Sequence, residues 1–186
     1  MIAIVVPSGS LIHADTAWCI WQNSIHLFNN GYNNTIINPK CSLVQKGRWV
    51  GVKQALELGA SHVMFIDSDM TMPPDTVTRL LRSGKDIVGC YYRKRDDSRE
   101  LVGDIPNTNK FTGLTPAVSL GTGMLLINTE VFRKVPEPWF MVGFENGEWE
   151  SEDEYFCKAA RIQKFHTFCD LDLSKQIGHI GTKVFK

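Results

Sequence analysis

The chain predicts an α/β domain with a mostly parallel central sheet flanked by helices. Three observations carry this. Short apolar runs stop abruptly at Pro, Gly or Asp, as in "IAIVV" (2–6), "HVMFID" (62–67) and "DIVGC" (86–90). Between them, apolar residues recur three and four positions apart, the period of a helix face. This alternation fills roughly the first 90 residues. The remainder mixes glycine-broken apolar runs with helix, which predicts a mixed sheet in the C-terminal half. At 186 residues, a single domain is expected.

The elements follow in order. "IAIVV" is a buried strand stopped by Pro7, Ser8 and Gly9. Ala14, Trp18, Trp21, Ile25 and Phe28 step by four, three, four and three, which puts them on one face of a helix that Gly31 can close. "TIIN" (35–38) is a second strand. Val52, Ala55 and Leu56 mark a second helix ending at Gly59, and "HVMFID" is the third strand. Pro73 or Pro74 can open the next helix, since the first turn tolerates a missing N–H, and "DTVTRLLRSG" carries it to Gly84. "DIVGC" is the fourth strand. "RKRDDSRELVGDIPNTNKFTG" (93–113) is polar and aperiodic, and reads as a long functional loop. "AVSLGTGMLLIN" (117–128) holds two apolar runs around Gly121 and Gly123. "SEDEYFCKAARIQ" (151–163) is a helix with Ser151 as N-cap and Glu154 completing a capping box. "HTFCDL" is a late strand, and "GHIGTKVF" forms the tail.

Composition narrows the function. Twenty basic and 20 acidic residues give zero net charge, which argues against a nucleic-acid partner bound through bulk electrostatics. The five cysteines (Cys19, Cys41, Cys90, Cys157, Cys169) form no C-x-x-C pair, so they read as reduced, mostly buried thiols. No apolar run reaches the ~18–20 residues needed to cross a membrane, and "MIAIVVPSGS" lacks a basic leader. A cytoplasmic protein with no integral membrane segment is the expectation.

The chemistry concentrates at "VMFIDSDMTMPPD" (63–75). In open α/β sheets, ligands bind beyond the carboxyl ends of strands. Asp67 and Asp69 stand at such an end, and share a side if the chain stays extended, so both could address one Mg²⁺ or Mn²⁺. Two other readings stay open. The first Asp of D-x-D-x-T is a nucleophile in haloacid-dehalogenase-type phosphatases, where Asp170 and Asp172 could imitate the late acidic pair. Or the aspartates merely cap a turn.

Four stretches together resemble a GT-A-fold glycosyltransferase, close to the inverting family-2-like enzymes: "GRWVGVKQALELGASHVMFIDSDMTMPPD", "DIVGCYYRKR", "LGTGMLLINTEVFRKVPEPWF" and "SEDEYFCKAARIQKFHTFCDLDLSKQIGHIG". D-x-D, then E-D, then a terminal His in this order is more specific than D-x-D alone. The resemblance implies a Rossmann-like GT-A domain over residues 1–186, with 1–92 as the nucleotide-sugar half and 93–186 as the acceptor and catalytic half. It implies a nucleoside-diphosphate sugar donor, with UDP the commoner nucleotide, and a hydroxyl acceptor on a glycan or other molecule.

It also assigns residues. Asp69 would be the direct ligand of Mn²⁺ or Mg²⁺, Asp67 would contact the ribose or a metal-bound water, and His179 would add a ligand from the tail. Asp153 would be the general base, beside Glu152; both could instead be plain helix-start acids that suit the dipole. Arg48, in "KGRW" where the family often has A-R-N, would meet the phosphates. Pro7, Ser8, Gly9 and Ser68 would line the donor, and Asn38 would read the base edge. Gly121, Thr122 and Gly123 fall on the sugar side, where a glycine lets backbone approach closely. Trp139, Phe140 and Trp149 could stack on acceptor sugars or pack in the core. The main competitor from another class is a non-catalytic nucleotide-sugar or glycan-binding module of a larger enzyme.

Overall fold

Strands whose residues are all apolar need cover on both faces, and "HVMFI" receives it. In the computed structural model, Val63, Met64, Phe65 and Ile66 have no solvent exposure. Because side chains alternate across a strand, they divide between two cores. Val63 and Phe65 join Ala3, Val5, Leu125 and Ile127 on one face. Met64 and Ile66 join Ile2, Ile4, Met124 and Leu126 on the other.

The structure describes residues 1–95, 100–106, 112–145 and 147–181. In chain order the elements are β1 (Ile2–Val5), α1 (Ala14–Asn29), β2 (Asn34–Ile37), α2 (Val44–Glu57), β3 (His62–Ile66), β4 (Met70–Thr71), α3 (Thr76–Arg82) and β5 (Ile87–Gly89). Then come β6 (Tyr92–Arg93), β7 (Leu101–Asp104), β8 (Leu114–Ala117), β9 (Ser119–Leu120), β10 (Met124–Asn128) and α4 (Thr129–Lys134). The chain continues through β11 (Gly143–Glu145), β12 (Glu148–Glu150), α5 (Glu152–Ile162), β13 (Thr167–Asp170), α6 (Leu171–Ser174) and β14 (Gly178–His179). The central sheet has seven strands in the order β2-β1-β3-β10-β5-β13-β8. β1 is parallel to β2 and β3, and β13 is parallel to β5. β10 runs antiparallel between β3 and β5, and β8 antiparallel beside β13, so the sheet is mixed in its second half as expected. Val52, Val131 and Phe156 bring α2, α4 and α5 onto one face. Ile20, Leu27, Val77 and Leu80 bring α1 and α3 onto the other.

Two expectations change. The segment 93–113 is not simply a loop: β6, β7 and β9 form a small antiparallel sheet within and beside it. The part at 96–99 and 107–111 lies outside the described residues, as does the tail beyond 181. The apolar stripe of α1 exists but faces outward, with Trp18, Trp21, Ile25 and Phe28 exposed, Phe28 at 70%. The buried face is Thr16, Ile20, Asn23 and Leu27. Asn23 fits there because its amide is satisfied on both sides: Nδ2 donates to the Cys19 and Pro73 carbonyls at 3.0 and 2.9 Å, and Oδ1 accepts from Val77 N at 3.1 Å.

The capping box at the start of α5 is present. Ser151 Oγ accepts from Glu154 N, and the Glu154 carboxylate accepts from Ser151 N at 2.9 Å. All five cysteines are free thiols, three of them buried.

Candidate active site

β3 releases the chain at Asp67, and Ser68–Asp69 make a turn before β4. That turn decides the fate of the two carboxylates. The chain turns there where the sequence expectation had it extended; both carboxylates still line one hollow, but their partners differ. Asp67 Oδ1 accepts from Arg48 Nη2 at 3.2 Å. Asp69 instead meets His179 Nε2 at 3.4 Å and Arg95 Nη1 at 2.5 Å.

Arg48 is the centre of the inner cluster. It is 3% exposed, on α2. Its Nη1 donates to Glu152 Oε1 and, at 3.2 Å, to Asp153 Oδ1, while Nη2 holds Asp67. Its Nε is buried and, among the described residues, has no partner. Burial opposes its charge, but the three carboxylates outweigh that and hold it protonated. Arg48 is therefore a counter-ion beneath the site. It is not among the residues that line the hollow beside Pro7, Ser8 and Gly9, where the sequence resemblance would put it on phosphates.

Asp153 sits in the first turn of α5. Three hydrogen bonds converge on its Oδ1: Thr122 N at 3.1 Å, Thr122 Oγ1 at 2.6 Å and Arg48. Among the described residues none reaches Oδ2. Burial pushes the Asp153 carboxyl above the ordinary aspartate range; Arg48 and Thr122 offset part of that, and Glu152 adds to it. Gly121 and Gly123 are required by close approach. A Cβ at Gly123 would lie 2.5 Å from the Tyr92 hydroxyl and 2.7 Å from Asp67 Oδ2, and one at Gly121 would also strike that hydroxyl. Tyr92 is buried, accepts from Gly123 N at 3.2 Å and packs edge-on against His179.

His179 is carried by β14, which pairs with β4, so the tail lies directly on the D-x-D strand end. Its Nδ1 faces the Arg93 carbonyl at 2.9 Å. A carbonyl only accepts, so Nδ1 carries a proton and Nε2 faces Asp69. The bond with Asp69 raises the His179 pKa. Burial works against ionisation of Asp69, but the His179 bond and the Arg95 charge prevail and hold it below the ordinary range. Asp69 and His179 are the pair that could hold a divalent cation: a hard oxygen and an imidazole whose other nitrogen is anchored. Two donors suit an ion completed by phosphate oxygens. Asp67 is not part of that pair, and among the described residues no group of three or more His, Cys, Asp or Glu is placed to hold a metal.

Two hollows flank this arrangement. The first, about 300 Å³, is lined by Pro7, Ser8, Gly9, Ser68, Asp69 and Arg95 among others. Asn38 does not line it; its amide donates to the Val6 carbonyl at 2.6 Å and to Ser8 Oγ at 2.9 Å, splinting the turn after β1. The second, about 380 Å³, includes Asp104, Gly121, Ser151, Asp153 and Glu154. It adjoins a third of about 370 Å³ that reaches Glu148 and Trp149. Trp149 is 75% exposed and packs against Phe144 across the β11–β12 pair, with centroids 4.9 Å apart. Trp139 and Phe140 take the other option: both are buried, Trp139 at 2% exposure, within an aromatic cluster with Phe132 and Phe156.

No family model matches the chain, and no curated protein matches it in sequence. Its architecture does match solved structures. A protein from STIV superposes with a TM-score of 0.60 at 18% identity, over 100% of this chain and 96% of that one. A Drosophila β-1,4-galactosyltransferase 7 mutant in complex with manganese, UDP-galactose and xylobiose gives 0.55 at 13% identity, over 100% and 77%. S. aureus TarS gives 0.52 at 13% identity, over 96% of this chain and 60% of that one. The fold is GT-A-like. The structure brings the carboxyl end of β3 and the start of α5 together through Arg48. No helix among the described residues is long and apolar enough to cross a membrane.

Two features of the site carried no sequence signal. Tyr92 follows a strand as an ordinary aromatic, and Arg95 lies in an aperiodic polar stretch. The late acidic pair of the phosphatase reading is otherwise engaged. Asp170 takes a two-pronged contact from Arg79 at 2.8 and 2.9 Å and caps α6, and Asp172 accepts from Gly113 N.

Proposed function

We propose that the protein is an inverting glycosyltransferase that moves a sugar from a nucleoside diphosphate to a hydroxyl of a glycan or similar acceptor. The observation that carries this reading is Asp153: a carboxylate fixed through one oxygen, with raised basicity, between the D-x-D strand end and a groove lined by Trp149. The donor would lie in the hollow of Pro7, Ser8, Gly9 and Ser68, and UDP is the nucleotide the sequence resemblance favours. The crystallised galactosyltransferase with manganese and UDP-galactose supports that choice. Arg95 and His179, from 93–186, line this hollow together with residues from 1–92.

In transfer, the acceptor hydroxyl oxygen attacks the anomeric carbon. A new C–O bond forms, the bond to the donor's diphosphate breaks, and the diphosphate leaves with the electron pair. The hydroxyl proton passes to Asp153 Oδ2. Thr122 and Arg48 hold the carboxylate in place by its other oxygen. Asp69 and His179 would hold Mn²⁺ or Mg²⁺, which when bound neutralises charge on the leaving diphosphate. Trp149 offers an apolar ring face, and the nearby carboxylates of Asp104, Glu148 and Glu154 accept hydrogen bonds from sugar hydroxyls.

Thermal unfolding with UDP, GDP or CMP, each with Mn²⁺ or EDTA, tests the reading. A ligand at about 100 times its Kd stabilises by roughly 2.7 kcal/mol. A shift with one nucleotide that EDTA abolishes supports a metal-diphosphate site. No shift with any nucleotide at millimolar concentration removes it.

A further inference from the structure

The donor hollow has an electrostatic problem. A nucleoside diphosphate is an anion, yet two of the groups lining its place are Asp67 and Asp69. Besides the Mn²⁺ or Mg²⁺ that Asp69 and His179 would hold, a side-chain cation can face the phosphates. Arg48 cannot, because it is buried and closed in by Asp67, Glu152 and Asp153. Among the described residues that line the hollow, the single lysine or arginine is Arg95.

Arg95 is built for a different task from Arg48. Its side chain is 57% exposed. The chain just before it is held: Arg93 pairs in β6 with Leu101 and presents its carbonyl to His179, and Lys94 N donates to the Glu100 carbonyl. On the far side the tail passes so close that a Cβ at Gly181 would lie 3.7 Å from the Arg95 carbonyl. The guanidinium lines the hollow. There Nη1 touches Asp69 Oδ2, while His179 faces Oδ1 of the same carboxylate. A guanidinium has five N–H donors in a planar fork, and this contact uses one of its nitrogens. The remaining edge can take a pair of phosphate oxygens in the two-pronged geometry that arginine and phosphate share.

We propose that Arg95 is the residue that recognises the donor's diphosphate, gripping its oxygens from beside Asp69. This rests on the donor-hollow reading above. It goes further by assigning phosphate recognition to a residue in the polar segment after β6 and removing it from Arg48. Arg95 then bridges Asp69 and the diphosphate, so one side chain senses both the acidic strand end and the leaving group. Recognition of this kind is directed at the phosphates and is indifferent to the base.

Isothermal titration of the full chain in Mg²⁺ with inorganic pyrophosphate, UDP, GDP, uridine and guanosine tests it, using wild type, Arg95→Gln and Arg95→Lys. The expected result is a loss of tenfold or more in affinity of Arg95→Gln for pyrophosphate and for the diphosphate that wild type binds. Binding of the matching nucleoside should stay within twofold. Arg95→Lys keeps the charge but loses the fork, and should fall between the two. The salt dependence of diphosphate binding should flatten in Arg95→Gln, because one phosphate contact is gone. The exposed position makes an unchanged unfolding temperature the expected control. Equal binding of pyrophosphate and diphosphate by wild type and Arg95→Gln overturns the assignment while leaving the donor hollow standing. A wild type that binds neither pyrophosphate nor any diphosphate overturns both. Parallel loss of nucleoside affinity in Arg95→Gln shows a general distortion of the hollow and also overturns it.

Discussion

Arg48 and Arg95 flank the same strand end and have opposite characters. Arg48 is sealed under the sheet with three carboxylates around it; Arg95 is half in water with one. A buried arginine whose charge is already matched on several sides is committed to structure, since any partner it released would be left as an uncompensated buried charge. An exposed arginine on a single carboxylate keeps donors that a ligand can take at little cost. Residue type says nothing about which is which. Burial and the number of partners decide it.

The sharpest way to break the contrast is to remove Arg48. Arg48→Ala leaves Asp67, Glu152 and Asp153 facing one another without a cation, and should cost about 3–5 kcal/mol of folding stability in a denaturant titration. Arg95→Gln should cost almost none. If the two variants unfold alike, the division between structural and ligand-facing arginine is wrong.

Asp153→Asn asks whether the inner cluster also performs chemistry. The amide keeps the shape and the Thr122 contact as an acceptor but cannot take a proton. Transfer should fall about 10²–10⁴-fold, with nucleotide affinity retained. Transfer that survives would reduce Asp153 to one more counter-ion of Arg48.

Thr122→Val is a finer probe. It removes a hydroxyl bond that favours the charged form of Asp153, so the Asp153 pKa, already raised by burial, should rise further. A general base works only when deprotonated. The acid limb of the kcat/KM profile should therefore lie above the ordinary carboxylate range in the parent and move to still higher pH in the variant. A limb that moves down, or stays, contradicts the role of that hydrogen bond.

The smallest effect belongs on α1, where exposure again outweighs residue type. Phe28→Ser should change stability by no more than about 0.5 kcal/mol, because the ring lies mostly in water. A larger loss would mean that this face is covered in solution.

Much of the framework was legible. Unbroken apolar runs marked β1, β3 and β5, because a strand covered on both sides has no polar alternation to hide it. The S-x-x-E signature marked the start of α5, because a capping box is local chemistry. The orientation of α1 was not legible. Its apolar stripe points outward while Asn23 is buried, and only partners 50 and 54 residues away, Pro73 and Val77, make that arrangement stable. The same limit applies within the site. D-x-D and E-D announced themselves, and the structure does bring Asp67 and Asp153 together. The different partners of the two aspartates, the burial of Arg48 and Trp139, and the arrival of Arg95 at Asp69 all depend on contacts between distant segments. No periodicity records such contacts.

The capping box also fixes a rotation. An α-helix rotates about 100° with each residue. Ser151 and Glu154 tie the first turn to itself, so the helix begins at Glu152 and Asp153 meets the Thr122 backbone and hydroxyl. Were winding to start one residue early or late, the same carboxylate would swing by that angle and face a neighbouring wall. The two capping side chains thus work as an index mark on a dial: they set the heading of the Asp153 carboxylate.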